Sequence, residues 1–125
     1  DAKMKAWMIG NYFIWDNQAP TTQMLGRYQP WHKGHTELFK RAHAKTGQVC
    51  ILIRDTGERH HNRDQMINKL TVAGYSMWKD YEIIDVPNIV DITYGRDVGY
   101  TFSEERLDPD IERISATRIR KVYEQ

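Results

Sequence analysis

The chain has 125 residues, of which 18 are basic and 17 acidic, so its formal net charge is +1. This length fits one domain with a buried core, and the charge balance excludes a protein that wraps bulk nucleic acid. No apolar run approaches the ~20 residues of a membrane-spanning helix, so we expect no membrane partner either. Cys50 is the only cysteine, which excludes an internal disulfide and makes the cytoplasm the expected location.

Apolar residues recur along the chain with the two periods that distinguish strands from helices. Gly47 follows the first helical pattern as its expected C-terminal stop, whereas the second pattern continues through Gly74. In chain order the patterns predict a strand at 4–14, a strand at 22–28 ending at Gly26, a helix at 36–45, a strand at 49–53, a helix at 63–81, strands at 82–86 and 89–94, and a helix at 115–123.

Alternating strands and helices predict an α/β fold, with a Rossmann-like, mostly parallel sheet and helices on both of its faces. We take 1–125 as a single domain, in which residues 1–20 are a peripheral strand or the remnant of a longer chain. In such sheets ligands bind beyond the carboxyl ends of the strands. Charged residues that follow three predicted strand ends are Arg27, Arg54, Asp55, Arg96 and Asp97, of which the last four are candidates for substrate binding.

Residues 25–35, LGRYQPWHKGH, place phosphate-binding chemistry at the join between a predicted strand and a helix. Gly26 permits close approach of the backbone to a phosphate, and a helix N-terminus offers unpaired amides and a partial positive charge. His32 and His35 can face the same bound anion, and Arg27 adds a further donor. This arrangement suits a triphosphate, because nucleotidyl transfer needs positive charge around the α-phosphorus.

The stretch from Gly26 to His35 resembles the GRFQPxHxGH form of the HxGH signature in the nucleotidyltransferase superfamily. Residues 114–120, ISATRIR, resemble the second signature of that superfamily, ISxTxIR. The first motif is similar to that of the archaeal type of NMN adenylyltransferase. Residues 91–100, DITYGRDVGY, resemble a segment of short phage-type nucleotidyltransferases of unassigned substrate.

The resemblance implies a role for each matching residue. His32, His35 and Arg118 would be catalytic, with the two histidines stabilising the transition state. Ser115 and Thr117 would donate hydroxyl hydrogen bonds to the β and γ phosphates, beside the cationic side chain of Arg118. The other residues implied in nucleotide or phosphate binding are Gly26, Arg27, Tyr28, Lys33 and Gly34.

The resemblance also implies the reaction, in which the phosphate of a small acceptor attacks the α-phosphorus of a nucleoside triphosphate and pyrophosphate leaves. Mg²⁺ is the implied cofactor, bound mainly through the phosphates and without ligands from the protein. The GRYQP sequence favours ATP over CTP, so we expect an adenylyltransferase. The alternatives are a CTP-dependent cytidylyltransferase acting on an alcohol phosphate and a non-catalytic nucleotide-binding module of a fused protein. The acceptor and the formation of a homo-oligomer stay open.

Several side chains have a structural interpretation beside the functional one. Trp31 either stacks on a base or fills the sheet edge, and Lys33 either helps to bind the triphosphate or faces solvent. His60 and His61 lie in a polar loop and are either solvated or part of a lid over the substrate. Helical spacing assigns three further residues to the core, namely Met66, Met77 and Trp78.

Overall fold

The computed structural model of the chain describes residues 7–9, 12–57, 63–96 and 99–107. The helix expected at 115–123 lies outside these residues. Within them, no helix is both long and apolar enough to cross a bilayer. The elements in chain order are β1 (Trp7–Ile9), β2 (Tyr12–Trp15), β3 (Thr22–Gly26), α1 (Lys33–Thr46), β4 (Val49–Arg54), α2 (Arg63–Val72) and β5 (Tyr81–Val86).

β3, β4 and β5 form one parallel sheet in that order. Gly26 pairs with Ile53, and Ile53 pairs with Asp85, so the three strands end at the same edge. β3 ends at Gly26 as the sequence predicts, and α1 ends before Gly47, which has φ 79 and caps the helix. The sheet and its helices confirm the Rossmann-like α/β class, and the residues after β3 and β4 share one carboxyl edge.

The core lies between the sheet and its two connecting helices. β4 buries Val49, Ile51 and Ile53 and leaves the alternate residues Cys50 and Leu52 partly exposed. Right-handed crossovers between strands that are added in one direction place their helices on the same face of a sheet. Among the described residues, the helices therefore cover one face of the sheet. The helix residues in this core are Phe39, Ala42, Met66 and Leu70.

The N-terminal segment folds back on itself, so the single strand predicted at 4–14 is wrong. β1 and β2 pair antiparallel, which satisfies backbone groups that one isolated strand would leave unpaired. The buried side chain of Gln48 joins the end of β2 to the start of β4. Its Oε1 accepts a hydrogen bond from the Asp16 amide at 3.2 Å, and its Nε2 donates to the Asp16 carbonyl at 2.9 Å.

α2 ends at Val72, so the helix predicted to reach residue 81 is too long. Gly74 has φ 99, and its N–H donates to the carbonyl of Thr71 at 3.0 Å. The next N–H, of Tyr75, donates to the carbonyl of Leu70 at 2.9 Å. This pair of bonds is a Schellman motif, in which a left-handed glycine ends the helix.

The early end of α2 also changes the predicted core. Met66 is fully buried and Met77 packs against the core, as expected. Trp78 was expected there too, but its side chain is 37% exposed and contacts the ring of Trp15 edge to face. The chain after Gly74 is no longer helical, so helical spacing does not describe the direction of Trp78.

The strand predicted at 89–94 is also wrong. The N–H of Ile89 donates to the carbonyl of Pro87 at 2.7 Å, a tight turn that takes the chain away from β5. Val90 and Ile92 are 82% and 53% exposed, so their apolar alternation is not buried against a sheet. Arg96 consequently does not follow a strand end; it lies exposed on an irregular segment.

Candidate active site

The chain leaves β3 through a turn that buries two aromatic side chains. Tyr28 adopts a left-handed conformation, with φ 51, and its ring centroid lies 5.1 Å from that of Trp31. Trp31 is fully buried, and its Nε1 donates to the hydroxyl oxygen of Thr36 at 2.8 Å. Trp31 therefore belongs to the core and is not exposed for stacking on a base.

Gly26 is required by the packing of this turn. A Cβ atom at Gly26 would lie 2.8 Å from Cζ and 3.1 Å from the hydroxyl oxygen of Tyr28. Burial raises the pKa of the Tyr28 phenol well above its ordinary value, so the phenol stays protonated. The sequence suggests that Gly26 makes room for a phosphate; the structure shows that Tyr28 occupies space beside it.

His32 and His35 cap the N-terminus of α1. His32 is the N-cap residue, in an extended conformation, and its Nδ1 accepts a hydrogen bond from the Gly34 N–H at 3.0 Å. In return, the Nδ1 of His35 accepts from the His32 N–H at 3.1 Å. The rings stack with their centroids 3.8 Å apart. Two imidazoles thus form the reciprocal capping box that Ser or Thr and Glu usually form.

These hydrogen bonds determine where each neutral imidazole carries its hydrogen. Because both Nδ1 atoms accept backbone hydrogen bonds, the hydrogen of each ring lies on Nε2. Neither Nε2 has a hydrogen-bond partner among the described residues. The ring of His35 is further fixed by a T-shaped contact with Tyr28 at 5.0 Å and a tilted one with Trp31 at 5.3 Å. The pair therefore offers two fixed N–H donors to a ligand.

Both imidazoles are neutral donors rather than cations at neutral pH. Burial is the main cause that lowers the pKa of His35 to about 3, with further contributions from the neighbouring imidazole of His32 and from the charge of Lys69. Burial and the charge of Lys69 also lower the pKa of His32 below its ordinary value. Permanent positive charge must therefore come from other groups, such as Arg27 and the N-terminus of α1.

The remaining residues of the first motif lie at the start of α1 or just before it. Arg27 is partly buried and directly follows β3. Lys33, the first helical residue, is exposed to solvent, and Gly34 is buried. The structure thus places seven residues of the motif at the junction of β3 and α1: Gly26, Arg27, Tyr28, His32, Lys33, Gly34 and His35.

The exit of β4 is more open than that of β3. Arg54 ends the strand, and its Nε is buried with no hydrogen-bond partner within the described part of the chain. Asp55 is exposed; its amide donates to the Val86 carbonyl at 3.0 Å, and its Oδ1 accepts from the Gly57 N–H at 2.9 Å.

The other residues expected at the site lie outside the described ranges. They are Asp97, Ser115, Thr117 and Arg118, together with His60 and His61.

Two residues of α2 that sequence reasoning missed also approach this edge. Lys69 donates from Nζ to the carbonyl oxygen of Trp31 at 2.7 Å. Nη2 of Arg63 lies 2.9 Å from Oδ2 of Asp85, near the end of β5. Lys69 precedes the buried Leu70, so helical spacing places it beside the buried face of α2, but spacing alone does not reveal its partner.

The donors around the histidine pair suit anionic oxygens. No group of three or more His, Cys, Asp or Glu residues in the described ranges could bind a metal ion. Mg²⁺ prefers oxygen ligands and commonly reaches protein sites bound to substrate phosphates, whereas N–H groups bind the phosphates themselves. The described residues therefore fit a phosphate chain, and a metal ion would bind at this site through the phosphates.

The fold and the site define a class of α/β protein. In this class a pair of histidines caps a helix at the carboxyl edge of a parallel sheet, where anionic nucleotides bind. The family model described as cytidylyltransferase-like matches residues 24–93, more than half of the chain. The chain therefore belongs to this family, within the HxGH nucleotidyltransferase superfamily, and is a nucleotidyltransferase that binds a nucleoside triphosphate. No curated protein and no solved structure matched the chain.

Proposed function

We propose that the protein transfers AMP from ATP to a small phosphorylated acceptor and releases pyrophosphate. The observation that carries this proposal is the fixed pair of Nε2–H donors on His32 and His35, beside the N-terminus of α1. Donors that are already oriented stabilise developing charge without further reorganisation. Such a site serves a reaction in which charge builds on phosphate oxygens.

In the proposed reaction an oxygen of the acceptor phosphate forms a bond to the α-phosphorus of the nucleotide. The bond from the α-phosphorus to the bridging oxygen of pyrophosphate breaks, and pyrophosphate leaves with that electron pair. His32 and His35 donate hydrogen bonds to the oxygens on which charge increases, and the protein forms no covalent intermediate. Positioning and electrostatics account for most of the acceleration in phosphoryl transfer, so two oriented donors suit this reaction.

Other residues are assigned by the resemblance of their motifs. Arg27 and Lys33 contact the triphosphate near α1, and Ser115, Thr117 and Arg118 contact its β and γ phosphates. Mg²⁺, when bound through the phosphates, neutralises part of the charge on the leaving pyrophosphate. Arg54 and Asp55, with Arg96 and Asp97, are the candidates for contacts with the acceptor.

CTP is the second candidate for the nucleotide. The description of the matching family as cytidylyltransferase-like favours it. An alcohol phosphate would then be the acceptor. The GRYQP sequence at residues 26–30 favours ATP, because it resembles the adenylyltransferase form of the motif. We give more weight to this sequence because it forms the turn beside the histidine pair.

The test is to incubate the protein with ATP, CTP, GTP or UTP, Mg²⁺ and a panel of phosphorylated acceptors, and to measure pyrophosphate release. We expect release with ATP and at least one acceptor, and none from the double variant with His32→Ala and His35→Ala. Release with CTP alone would replace the adenylyltransferase proposal by the second candidate. Tight binding of a triphosphate without release in any combination would contradict catalysis and favour a nucleotide-binding module.

A further inference from the structure

Lys69 joins the second helix to the backbone immediately before the histidine pair. Its Nζ donates a hydrogen bond of 2.7 Å to the carbonyl oxygen of Trp31, the residue that precedes His32. A bond this short between an ammonium group and a carbonyl is charge-assisted. The ammonium group of Lys69 is therefore fixed at the start of α1, although the residue itself belongs to α2.

The charge of Lys69 acts on both imidazoles. The ammonium group is bonded to the carbonyl of the residue before His32, and its charge contributes to the lowered pKa of His32 and of His35. An anion bound against the two Nε2–H groups would experience the same charge. The charge that makes protonation of the imidazoles unfavourable would favour such an anion by the same electrostatic interaction.

The ammonium group has capacity for a further ligand. It carries three N–H donors, and the Trp31 carbonyl is its one hydrogen-bond partner in the part of the chain that the structure describes. Lys69 also lines an open groove of about 550 Å³ between α1 and α2, together with Lys33 and Thr36 of the first helical turn. The Lys69 side chain is therefore accessible from solvent on the side that faces the first turn of α1.

We propose that Lys69 is a phosphate-binding residue of this site, which supplies permanent positive charge from α2 beside the two histidines. The ligand is the phosphate chain of the nucleoside triphosphate, so the proposal rests on the proposed function only in the identity of that ligand. The Trp31 carbonyl orients the ammonium group of Lys69. The remaining N–H donors of that ammonium group contact non-bridging phosphate oxygens.

The test compares binding of inorganic tripolyphosphate, by calorimetry, to the wild type and to Lys69→Met, Lys69→Arg and Lys40→Met. Lys69→Met keeps the aliphatic part of the side chain and removes the charge. Lys40→Met is the matched control, because Lys40 lines the same groove on the exposed side of α1. The melting temperature of each variant is measured in parallel.

We expect Lys69→Met to weaken tripolyphosphate binding about ten-fold or more, as for loss of one charged hydrogen bond. Lys69→Arg should recover most of the affinity, and Lys40→Met should change it less than about two-fold, since exposed charges are largely screened. Unchanged affinity in Lys69→Met together with a lowered melting temperature would show that Lys69 only ties α2 to Trp31, and would overturn the proposal. Equal losses in Lys69→Met and Lys40→Met would overturn it too.

The same measurement separates this proposal from the proposed function. Tripolyphosphate binding that depends on Lys69, in a protein that releases no pyrophosphate from any triphosphate, would leave the role of Lys69 intact and reject the reaction. Pyrophosphate release by Lys69→Met with unchanged KM for the triphosphate would reject the role of Lys69 and leave the reaction intact.

Discussion

The exits of β3 and β4 lie side by side at one edge of the sheet, but they are built differently. After β3, the buried Tyr28 packs against the ring of His35, whose Nδ1 is bonded to the backbone. After β4, Asp55 is exposed, its amide donates to the Val86 carbonyl, and its Oδ1 accepts from the Gly57 N–H. The first exit has a packed aromatic turn, whereas the second exposes a carboxylate to solvent.

This difference matches two different chemical tasks. Stabilising charge on a transferring phosphate requires donors fixed before the reaction, and the β3 exit provides them. Recognising an acceptor requires side chains that adapt to its shape, which exposed residues on loops can do. We infer that the β3 exit performs the transfer and that the β4 exit selects the acceptor.

The largest expected effect comes from removing a fixed donor at the β3 exit. His35→Ala should lower kcat about 10²–10³-fold while changing the Kd of the triphosphate little, because the donor acts most strongly on the transition state. Steady-state kinetics and calorimetry measure the two quantities. His43→Ala is the control: this histidine lies in the last turn of the same helix and bonds to Asp80. A loss confined to binding, or an equal loss of kcat in both variants, would contradict the role of His35.

Variants in the motif at residues 114–120 test whether the residues after β3 bind the triphosphate without help from the C-terminal motif. Arg118→Ala should raise the KM for the triphosphate about ten-fold, as for loss of one charged hydrogen bond to phosphate. Arg120→Ala should have a much smaller effect, because residues two apart on the helix predicted at 115–123 would not share a face. Identical kinetics for Arg118→Ala and the wild type would remove the C-terminal motif from the site.

The tight packing of the β3 exit predicts a steric effect at Gly26. Gly26→Ala should lower the free energy of unfolding by about 1–3 kcal/mol through overpacking against Tyr28, and should also lower kcat because Tyr28 contacts His35. Gly47→Ala provides the comparison, since φ 79 strains an alanine there but no atom lies within 4 Å. Gly47→Ala should therefore lose stability and keep kcat. Full activity in Gly26→Ala would show that the packing of Tyr28 does not position His35.

A smaller effect concerns stability in acid. The folded pKa of His35, about 3, is below its ordinary value of 6.5, so the unfolded state binds the proton more readily. The neutral His35 ring makes its full contribution to the free energy of unfolding above pH 6.5, and this contribution decreases as the pH falls toward 3. The free energy of unfolding should fall by about 1–2 kcal/mol between pH 7 and pH 5 from this group. His35→Gln keeps an acceptor for the capping box and does not titrate, so its urea unfolding should depend less on pH. Equal pH dependence in the two proteins would exclude this contribution.

Much of the fold could be predicted because local sequence encodes it. β4 is a short apolar run, and α1 has regular helical spacing followed by a glycine, so both were predicted close to their observed bounds. Once these elements alternate, the parallel order of the strands places the residues after Gly26 and Ile53 at one edge. The position of the histidine pair therefore followed from the sequence.

The strand predicted at 89–94 and the long helix predicted at 63–81 are wrong because tertiary contacts override the local apolar pattern. Apolar alternation at 89–94 indicates a strand only if a neighbouring strand pairs with it, and the turn after Pro87 removes that possibility. Gly74 is tolerable within a helix, but here it adopts the left-handed conformation that ends α2. The contact of Lys69 with Trp31 joins residues distant in the chain, so no local pattern could reveal it.

The proposed reaction depends on His32 and His35 acting as neutral Nε2–H donors fixed by the backbone. Nitrogen-15 NMR of the histidine rings, recorded from pH 8 to pH 5, measures both the charge and the tautomer of each imidazole. We predict that His35 keeps the chemical shifts of a neutral ring with hydrogen on Nε2 throughout this range, and that His32 shows the same tautomer at pH 8. Titration of His35 near its ordinary pKa of 6.5, or hydrogen on Nδ1 of either ring, would contradict this account of the site.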